Sequence, residues 1–273
     1  MHYFNFQIDT ENGISHLRLN RPDSMNSMTK EFWSDLPEAV GHLSRSGDTR
    51  VLVISSTGKH FSCGMDLKVF ESGIIKTDSP RDREHLFQLI LKLQQSFNCL
   101  EQCRMPVIAA IHGGCIGGAL DMVTACDIRF ATRDAFFKIQ EINLAMMADL
   151  GVLQRLQHLL PQGIVRELAF TGEALPAQRA CELGFISSIF DTHEAMLESA
   201  LAVASKIASQ SPLAVSASKK ALNFARDHDV SASLRQCAEL QAAVMSADEL
   251  VECMRARKAG RNPTFPNLQK VEW

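Results

Sequence analysis

The stretch Pro106-Val107-Ile108-Ala109-Ala110-Ile111-His112-Gly113-Gly114-Cys115-Ile116-Gly117-Gly118-Ala119-Leu120-Asp121 decides how the chain is read. Its opening six residues form a short apolar run bounded by proline and glycine, which predicts a buried strand. Gly113 to Gly118 is a glycine-rich turn, and a helix from about Gly118 to Ala125 follows it. A strand that leaves through such a turn into a helix presents free backbone N–H groups, and the helix dipole there favours an anion. Close packing would ask for the same glycines. Neither G-x-G-x-x-G nor G-x-x-x-x-G-K-[ST] occurs, so neither a dinucleotide loop nor a Walker loop is read.

Working outward, Gly58-Lys59-His60-Phe61-Ser62-Cys63-Gly64-Met65-Asp66 repeats the arrangement after the apolar run Val51-Leu52-Val53-Ile54, with a helix starting near Asp66. Gly64 lets the Met65 N–H point outward. An oxyanion hole needs two converging donors, often from different loops, and two such loops meet that need. Upstream, Tyr3–Ile8 and Ile14–Leu19 alternate around Glu11-Asn12-Gly13, predicting a hairpin. Thr29 is placed to cap an amphipathic helix to about Leu43, with Pro37 a point of kink or break. Residues 72–80 are polar with Gly and Pro, predicting a mobile surface stretch. Residues 81–103 have helical periodicity, 128–131 and 135–138 read as strands, and 185–190 holds one more. From Ser211 to about Lys258 only helices are signalled, ended by Pro263 and Pro266.

Hydrophobic residues make up 46% and charged residues 22%, which excludes disordered and membrane classes. Twenty-eight Lys plus Arg against 31 Asp plus Glu leave a formal net charge of −3, which argues against a broad nucleic-acid footprint. The eight cysteines form no C-x-x-C pair and sit among apolar neighbours, so they read as reduced thiols. No metal site is expected: H-E-x-x-H is absent, as is the serine elbow G-x-S-x-G. The N-terminus has neither a signal peptide's h-region nor a presequence's lack of acids, and no Ser-Lys-Leu tripeptide ends the chain. A cytoplasmic protein is therefore expected.

Three carboxylates stand out. Asp121 lies one turn into the helix after Gly117-Gly118, Glu141 follows the strand at 135–138, and Asp149 sits in Met146-Met147-Ala148-Asp149-Leu150-Gly151. Burial among Met, Ala and Leu would raise the Asp149 pKa towards values useful in proton transfer. Locally, a helix N-cap is the commoner role for Asp149, a solvated helix position for Asp121, and a surface charge for Glu141. His60 and His112 adjoin the glycine loops and read as packing residues. Cys63 and Cys115 lack an adjacent base for nucleophilic work.

Taken together, these stretches resemble the crotonase (enoyl-CoA hydratase/isomerase) superfamily. The resemblance is carried by Leu17-Arg18-Leu19-Asn20-Arg21-Pro22, Phe61-Ser62-Cys63-Gly64-Met65-Asp66-Leu67, Pro106 to Gly113, and Gly117-Gly118-Ala119-Leu120-Asp121. Thr124-Ala125-Cys126-Asp127-Ile128-Arg129 and Thr171-Gly172-Glu173 continue it, in family order from near residue 13 to about 259.

The resemblance implies an α/β fold, a spiral of ββα units over residues 1–205. A helical module over 206–273 would trimerise, often as dimers of trimers. It implies an acyl-CoA thioester substrate, with coenzyme A part of the substrate and no separate cofactor. Met65 and Gly118 N–H would form the oxyanion hole, with Cys63, Gly64, Asp66, Leu67, Gly117 and Lys258 at the substrate. Arg257 and Arg261 are candidates beside Lys258 for the CoA phosphates.

A hydratase would carry glutamates at 121 and 141 and usually glycine at 149. The set Asp121, Glu141, Asp149 is similar instead to the dienoyl-CoA isomerases of the superfamily. Moving double bonds from 3,5 to 2,4 takes a proton from C2 and adds one at C6, which two acids serve better than one. By this resemblance Glu141 acts at C2 and Asp149 at C6, an order open to exchange, while an ionised Asp121 raises its neighbour's pKa. Ala119 replaces a common glycine, and Met146 and Met147 replace smaller residues at the acyl pocket. The alternatives are hydration or Δ3,Δ2-enoyl isomerisation, and a non-catalytic RNA-binding or scaffold homologue.

Overall fold

A computed structural model describes residues 1–71, 73 and 76–272. Strands β1 (Phe6–Glu11) and β2 (Ile14–Leu19) form the hairpin, with Asn12 and Gly13 both at positive φ (52° and 77°), as a type I′ turn requires. Helix α1 (Phe32–Ser46) follows. Thr29 does not cap it, contrary to expectation: the N-cap is Glu31, and the Thr29 hydroxyl is engaged with Asn5 and Glu31. The helix also continues through Pro37. A proline at 37 frees the carbonyl of residue 33, and Ser96 Oγ donates to that Trp33 oxygen at 2.9 Å.

Strand β3 (Val51–Ser56), the short α2 (Lys68–Glu71) and α3 (Pro80–Gln102) come next. Ser72, Ile74 and Ile75, part of the stretch expected to be mobile, lie outside the described residues. At its end, Ser79 and Asp82 form a reciprocal capping box for α3. Then follow β4 (Val107–Ile111), β5 (Gly114–Ile116), α4 (Gly118–Thr124), β6 (Ile128–Thr132) and β7 (Phe136–Lys138). A 3-10 turn at Glu141–Leu144 precedes α5 (Val152–Arg155), α6 (Gln162–Thr171), β8 (Ala174–Pro176) and α7 (Ala177–Glu182). Strand β9 (Ser188–Phe190), α8 (His193–Ala208), α9 (Pro212–Asp227), α10 (Val230–Val244) and α11 (Ala247–Lys258) complete the chain.

Six strands form one sheet in the order β1-β2-β3-β4-β6-β9, parallel beyond the hairpin; β5-β7-β8 form a second. Strands β3 and β4 are buried along their whole length because both sheet faces are covered. Leu52, Ile54, Val107, Ala109 and Ile111 face the core shared with α1, α3 and α4. Their alternates Val51, Val53, Ile108 and Ala110 pack on Met196, Ala200 and Ala204 of α8. The chain therefore leaves the C-terminal ends of β3 and β4 side by side, and the two glycine loops meet there.

The tail is tied to this body through α9 and through the segment after α11, where Arg50 donates to Phe265 O (2.6 Å) and Asn267 Oδ1 (2.9 Å) and Val271 N donates to Arg45 O (2.9 Å). Lys219 of α9 is buried, its Nζ donating to Leu100 O (2.6 Å) and Met105 O (3.0 Å) and pairing with Asp127 Oδ2 (2.8 Å). Helix α10 has no buried residue, and Val230, Leu234, Met245, Leu250 and Met254 of the tail are exposed. Among the described residues no helix is long and apolar enough to cross a membrane.

Candidate active site

The loop after β3 is stitched to the loop after β4. Phe61 N donates to His112 O (2.8 Å), Ser62 N to Gly114 O (3.1 Å), and Ile116 N to Ser62 O (3.0 Å). Cys63 N reaches Met25 O (3.0 Å), Gly64 N reaches Ser62 Oγ (3.1 Å), Asp66 N reaches Met28 O (2.9 Å), and Gly117 N reaches Lys138 O (2.9 Å). Two amides in this weave, Met65 and Gly118, find no acceptor among the described residues, and both residues line one cavity. Enclosed amides are rarely left so, and two free N–H donors on a cavity wall make a seat for one acceptor oxygen.

Gly64 makes the approach possible. It sits at φ 81°, and a Cβ there would lie 2.6 Å from Ile116 O and 3.0 Å from Gly118 N. A Cβ on Gly118 would lie 3.8 Å from Met65 N, so the two amides are neighbours.

The cavity has a volume of about 1500 Å³. Glu141 and Asp149 both line it, as do Cys63, Asp66, Leu67 and Gly117; Asp121 does not. Glu141 opens the 3-10 turn, its Oε1 3.1 Å from where a Gly117 Cβ would sit, and its Oε2 is buried without a partner among the described residues. Burial, and then the charge of Asp149, raise its pKa above the ordinary carboxylate value. Asp149 is half-buried and its pKa is raised by burial, against its own backbone N–H. The Asp149 carbonyl accepts from Gln94 Nε2 of α3 at 2.8 Å. Arg155 steadies the next residue, donating to Leu150 O (3.3 Å) while held by Asn98 (2.6 Å) and Glu101 (2.8 Å).

Asp121 departs from expectation. It is wholly buried in α4, and its Oδ1 accepts the Val152 N–H at 2.7 Å, so it caps α5 from a distance in sequence. The N-cap residue of α5 is Gly151, without a side-chain bond, so Asp149 does not have the capping role either. Burial and then the charge of Glu141 push the Asp121 pKa well above the usual range, outweighing the Val152 N–H and Arg155. The direction of this shift runs against the ionised Asp121 expected from sequence, because burial beside a second acid disfavours the charged form.

Other expectations separate cleanly. His60 Nδ1 accepts from Gly114 N (2.9 Å) and His112 Nε2 bonds Gly58 O (2.8 Å), so both histidines brace the loops. Burial raises the thiol pKa of Cys63 and of Cys115, which suits neither for nucleophilic attack. Asp66 is engaged with Ser27 (2.9 Å) and Arg21 (3.4 Å), and Leu67 is largely exposed. Lys258 is exposed and does not line the cavity, nor do Arg257 and Arg261, and Arg261 is paired with Glu252 (2.6 Å). The lysines that do line it, Lys30, Lys68, Lys92 and Lys138, were missed, since each lies alone in its own segment of sequence.

The enoyl-CoA hydratase/isomerase family model matches residues 9–267. The chain belongs to the enoyl-CoA hydratase/isomerase family. Within that family it is 42% identical to a human mitochondrial Delta(3,5)-Delta(2,4)-dienoyl-CoA isomerase, over 93% of this chain and 80% of the relative. A peroxisomal Delta(3,5)-Delta(2,4)-dienoyl-CoA isomerase of Arabidopsis thaliana is 38% identical over 95% of each chain. The solved enoyl-CoA hydratase of Bacillus anthracis superposes with a TM-score of 0.85 at 28% identity, covering 98% of this chain and 100% of that one. The crotonase-type α/β fold is thereby established for this family member. The compartments in its relatives' names are mitochondrial and peroxisomal, which lends the cytoplasmic expectation no support.

Proposed function

We propose that the protein converts 3,5-dienoyl-CoA to 2,4-dienoyl-CoA. The observation that carries this reading is Asp149 on the cavity wall together with Glu141, both with raised pKa, in a chain 42% identical to an isomerase of that name. A thioester carbonyl seated on the Met65 and Gly118 amides becomes acidic at C2. Glu141, ionised, takes the C2 proton; the electrons move through the diene, the oxygen carries the dienolate charge, and neutral Asp149 delivers a proton at C6. Each donor of such a hole typically contributes about 3 kcal/mol to lowering the barrier. No electrons are gained or lost, so the step asks nothing of a cofactor beyond the substrate's own coenzyme A.

Asp121 then acts as a positioning residue: its bond to Val152 N fixes the Gly151–Val152 turn that follows Asp149. The exposed cavity lysines Lys30, Lys68 and Lys92 are the natural partners of the CoA phosphates, in preference to Lys258. The exposed apolar residues of α10 and α11 support self-association of the tail as a trimer or hexamer. The test is a spectrophotometric assay of purified protein with 3,5-dienoyl-CoA and 2-enoyl-CoA in parallel. Appearance of the 2,4-diene chromophore is expected; conversion of the enoyl substrate alone would replace this reading with hydration.

A further inference from the structure

Helix α3 turns three polar side chains towards the segment that carries Asp149. Gln94, Asn98 and Glu101 are spaced by four and then three residues, so they form one stripe of the helix. Gln94 holds the Asp149 carbonyl, while Asn98 and Glu101 hold Nη2 of Arg155 at 2.6 and 2.8 Å. Arg155 in turn shapes the chain beyond Asp149. Its Nη1 donates to Leu150 O at 3.3 Å and lies 1.8 Å from where a Gly151 Cβ would sit. Glycine at 151, with φ 125°, is what leaves room for that guanidinium. The Arg155 and Glu101 side chains are 9% and 16% exposed, so each charge depends on the other. The second carboxylate oxygen of Glu101 faces the tail: Oε1 accepts from Nη1 of Arg226 on α9. Asp227 holds the Nε and Nη2 of Arg226 at 2.7 and 2.9 Å. Burial alone would raise the Glu101 pKa, but the two arginines hold it below its ordinary value.

We infer that Glu101 is a positioning residue for Asp149, acting through Arg155, and that Arg226 of the helical tail fixes Glu101 in that role. The inference rests on the proton-delivery role proposed for Asp149 and extends it to residues that touch no substrate: none of Glu101, Arg155 and Arg226 lines the cavity. The contacts run from α9 to α3, from α3 to Arg155, and from Arg155 to the carbonyl next to Asp149. Among the described residues no hydrogen bond joins this network to Glu141, which opens its own 3-10 turn. Loosening the network should therefore misplace the acid at C6 and spare the base at C2. Arg226 meets Glu101 through one nitrogen, so a lysine can supply the same contact where leucine cannot.

The experiment compares the full-length wild type with Arg226→Leu, Arg226→Lys and Glu101→Gln on 3,5-dienoyl-CoA in D2O. Deuterium at C6 of the product is read against deuterium at C2 of unconverted substrate. Amide exchange of residues 149–155 is followed by mass spectrometry without substrate. An unfolded fraction lowers both deuterium readings alike, so their ratio reports the placement of Asp149 and not stability. In Arg226→Leu the C6-to-C2 ratio should fall by about two- to thirtyfold, with KM nearly unchanged. Its 149–155 amides should exchange faster, while those of β3 and β4 keep their rates. Glu101→Gln should lose more, and Arg226→Lys should recover most of the wild-type ratio. If Glu101→Gln fails to fold, Arg226→Leu, at a side chain 30% exposed, decides alone. An unchanged ratio overturns the proposal, as do unchanged amide rates or a loss that Arg226→Lys does not restore. A wild type that converts no dienoyl-CoA would remove the isomerase reading, while the amide rates still decide whether Glu101 and Arg226 hold the turn.

Discussion

The Val152 amide donates to Asp121 Oδ1 at 2.7 Å, joining the start of α5 to a carboxyl with no exposed surface. The bond makes an acid that never reaches the cavity responsible for the shape of the turn after Asp149. Because burial raises the Asp121 pKa, the native state binds its proton more tightly than the unfolded chain does. Stability contributed by the neutral form is complete below the unfolded pKa of about 4 and declines as pH rises towards the folded value. Asp121→Asn keeps the acceptor and removes the ionisation. Its melting temperature should match the wild type near pH 4 and exceed it increasingly as pH rises from there towards the folded pKa. Asp121→Ala strands the Val152 N–H and should cost about 1–3 kcal/mol near pH 4, a deficit that narrows as pH rises and the wild type loses its proton-linked stability. A wild type that gains stability over Asp121→Asn with rising pH would contradict a raised Asp121 pKa.

Gln94 reaches Asp149 only through the backbone carbonyl, at 2.8 Å, yet that contact sets where the carboxyl sits. Gln94→Leu should lower kcat for the dienoyl substrate by ten- to a hundredfold with KM nearly unchanged, as small misplacements do. Hydrogen–deuterium exchange at substrate C2 should persist in this variant, since Glu141 is untouched. A proportional rise in KM with kcat unchanged would assign Gln94 to binding instead.

Gly64→Ala tests the amide pair. The methyl group would crowd Ile116 O and Gly118 N, at 2.6 and 3.0 Å, and φ 81° is costly for alanine. The expected loss is about 10²- to 10³-fold in kcat, equivalent to one missing donor, in a protein whose circular dichroism is unaltered. Turnover within threefold of wild type would show that the pair is not the carbonyl's seat.

Much of this was legible in the sequence, and the misses share one cause. The Asn12-Gly13 hairpin, the apolar runs of β3 and β4 and both glycine loops declare themselves through local pattern alone. The short strands β5 and β8 do not. Both depend on β7, and β5 lies inside a stretch whose glycines read as a turn. Thr29 looked like a cap because the competing Asn5, 24 residues away, is invisible locally. For the same reason the cap of α5 was sought at Asp149, two residues from Gly151, and found at Asp121, 31 residues from Val152. Family resemblance supplied what local pattern lacks, the convergence of Glu141 and Asp149 on one cavity.

The pH dependence follows from the raised pKa values of Glu141 and Asp149. With one acid ionised and the other protonated in the productive form, kcat/KM should be bell-shaped, its limbs belonging to the coupled pair. The charge of Asp149 raises the Glu141 pKa only when Asp149 is ionised, and in this assignment it is neutral while Glu141 loses its proton, so Asp149→Asn should leave the rising limb of C2 exchange in place. A limb displaced to lower pH would mean that Asp149 is charged when Glu141 titrates, and the two roles would be exchanged.

The central claim is that two acids divide the proton transfer, Glu141 at C2 and Asp149 at C6. It is tested most directly by incubating 3,5-dienoyl-CoA in D2O with the wild type, Asp149→Asn and Glu141→Gln, and reading deuterium by position. The account predicts deuterium at C6 of the wild-type product, exchange confined to C2 of unconverted substrate with Asp149→Asn, and neither with Glu141→Gln. Product deuterated at C6 at near-wild-type rate from Asp149→Asn would contradict it.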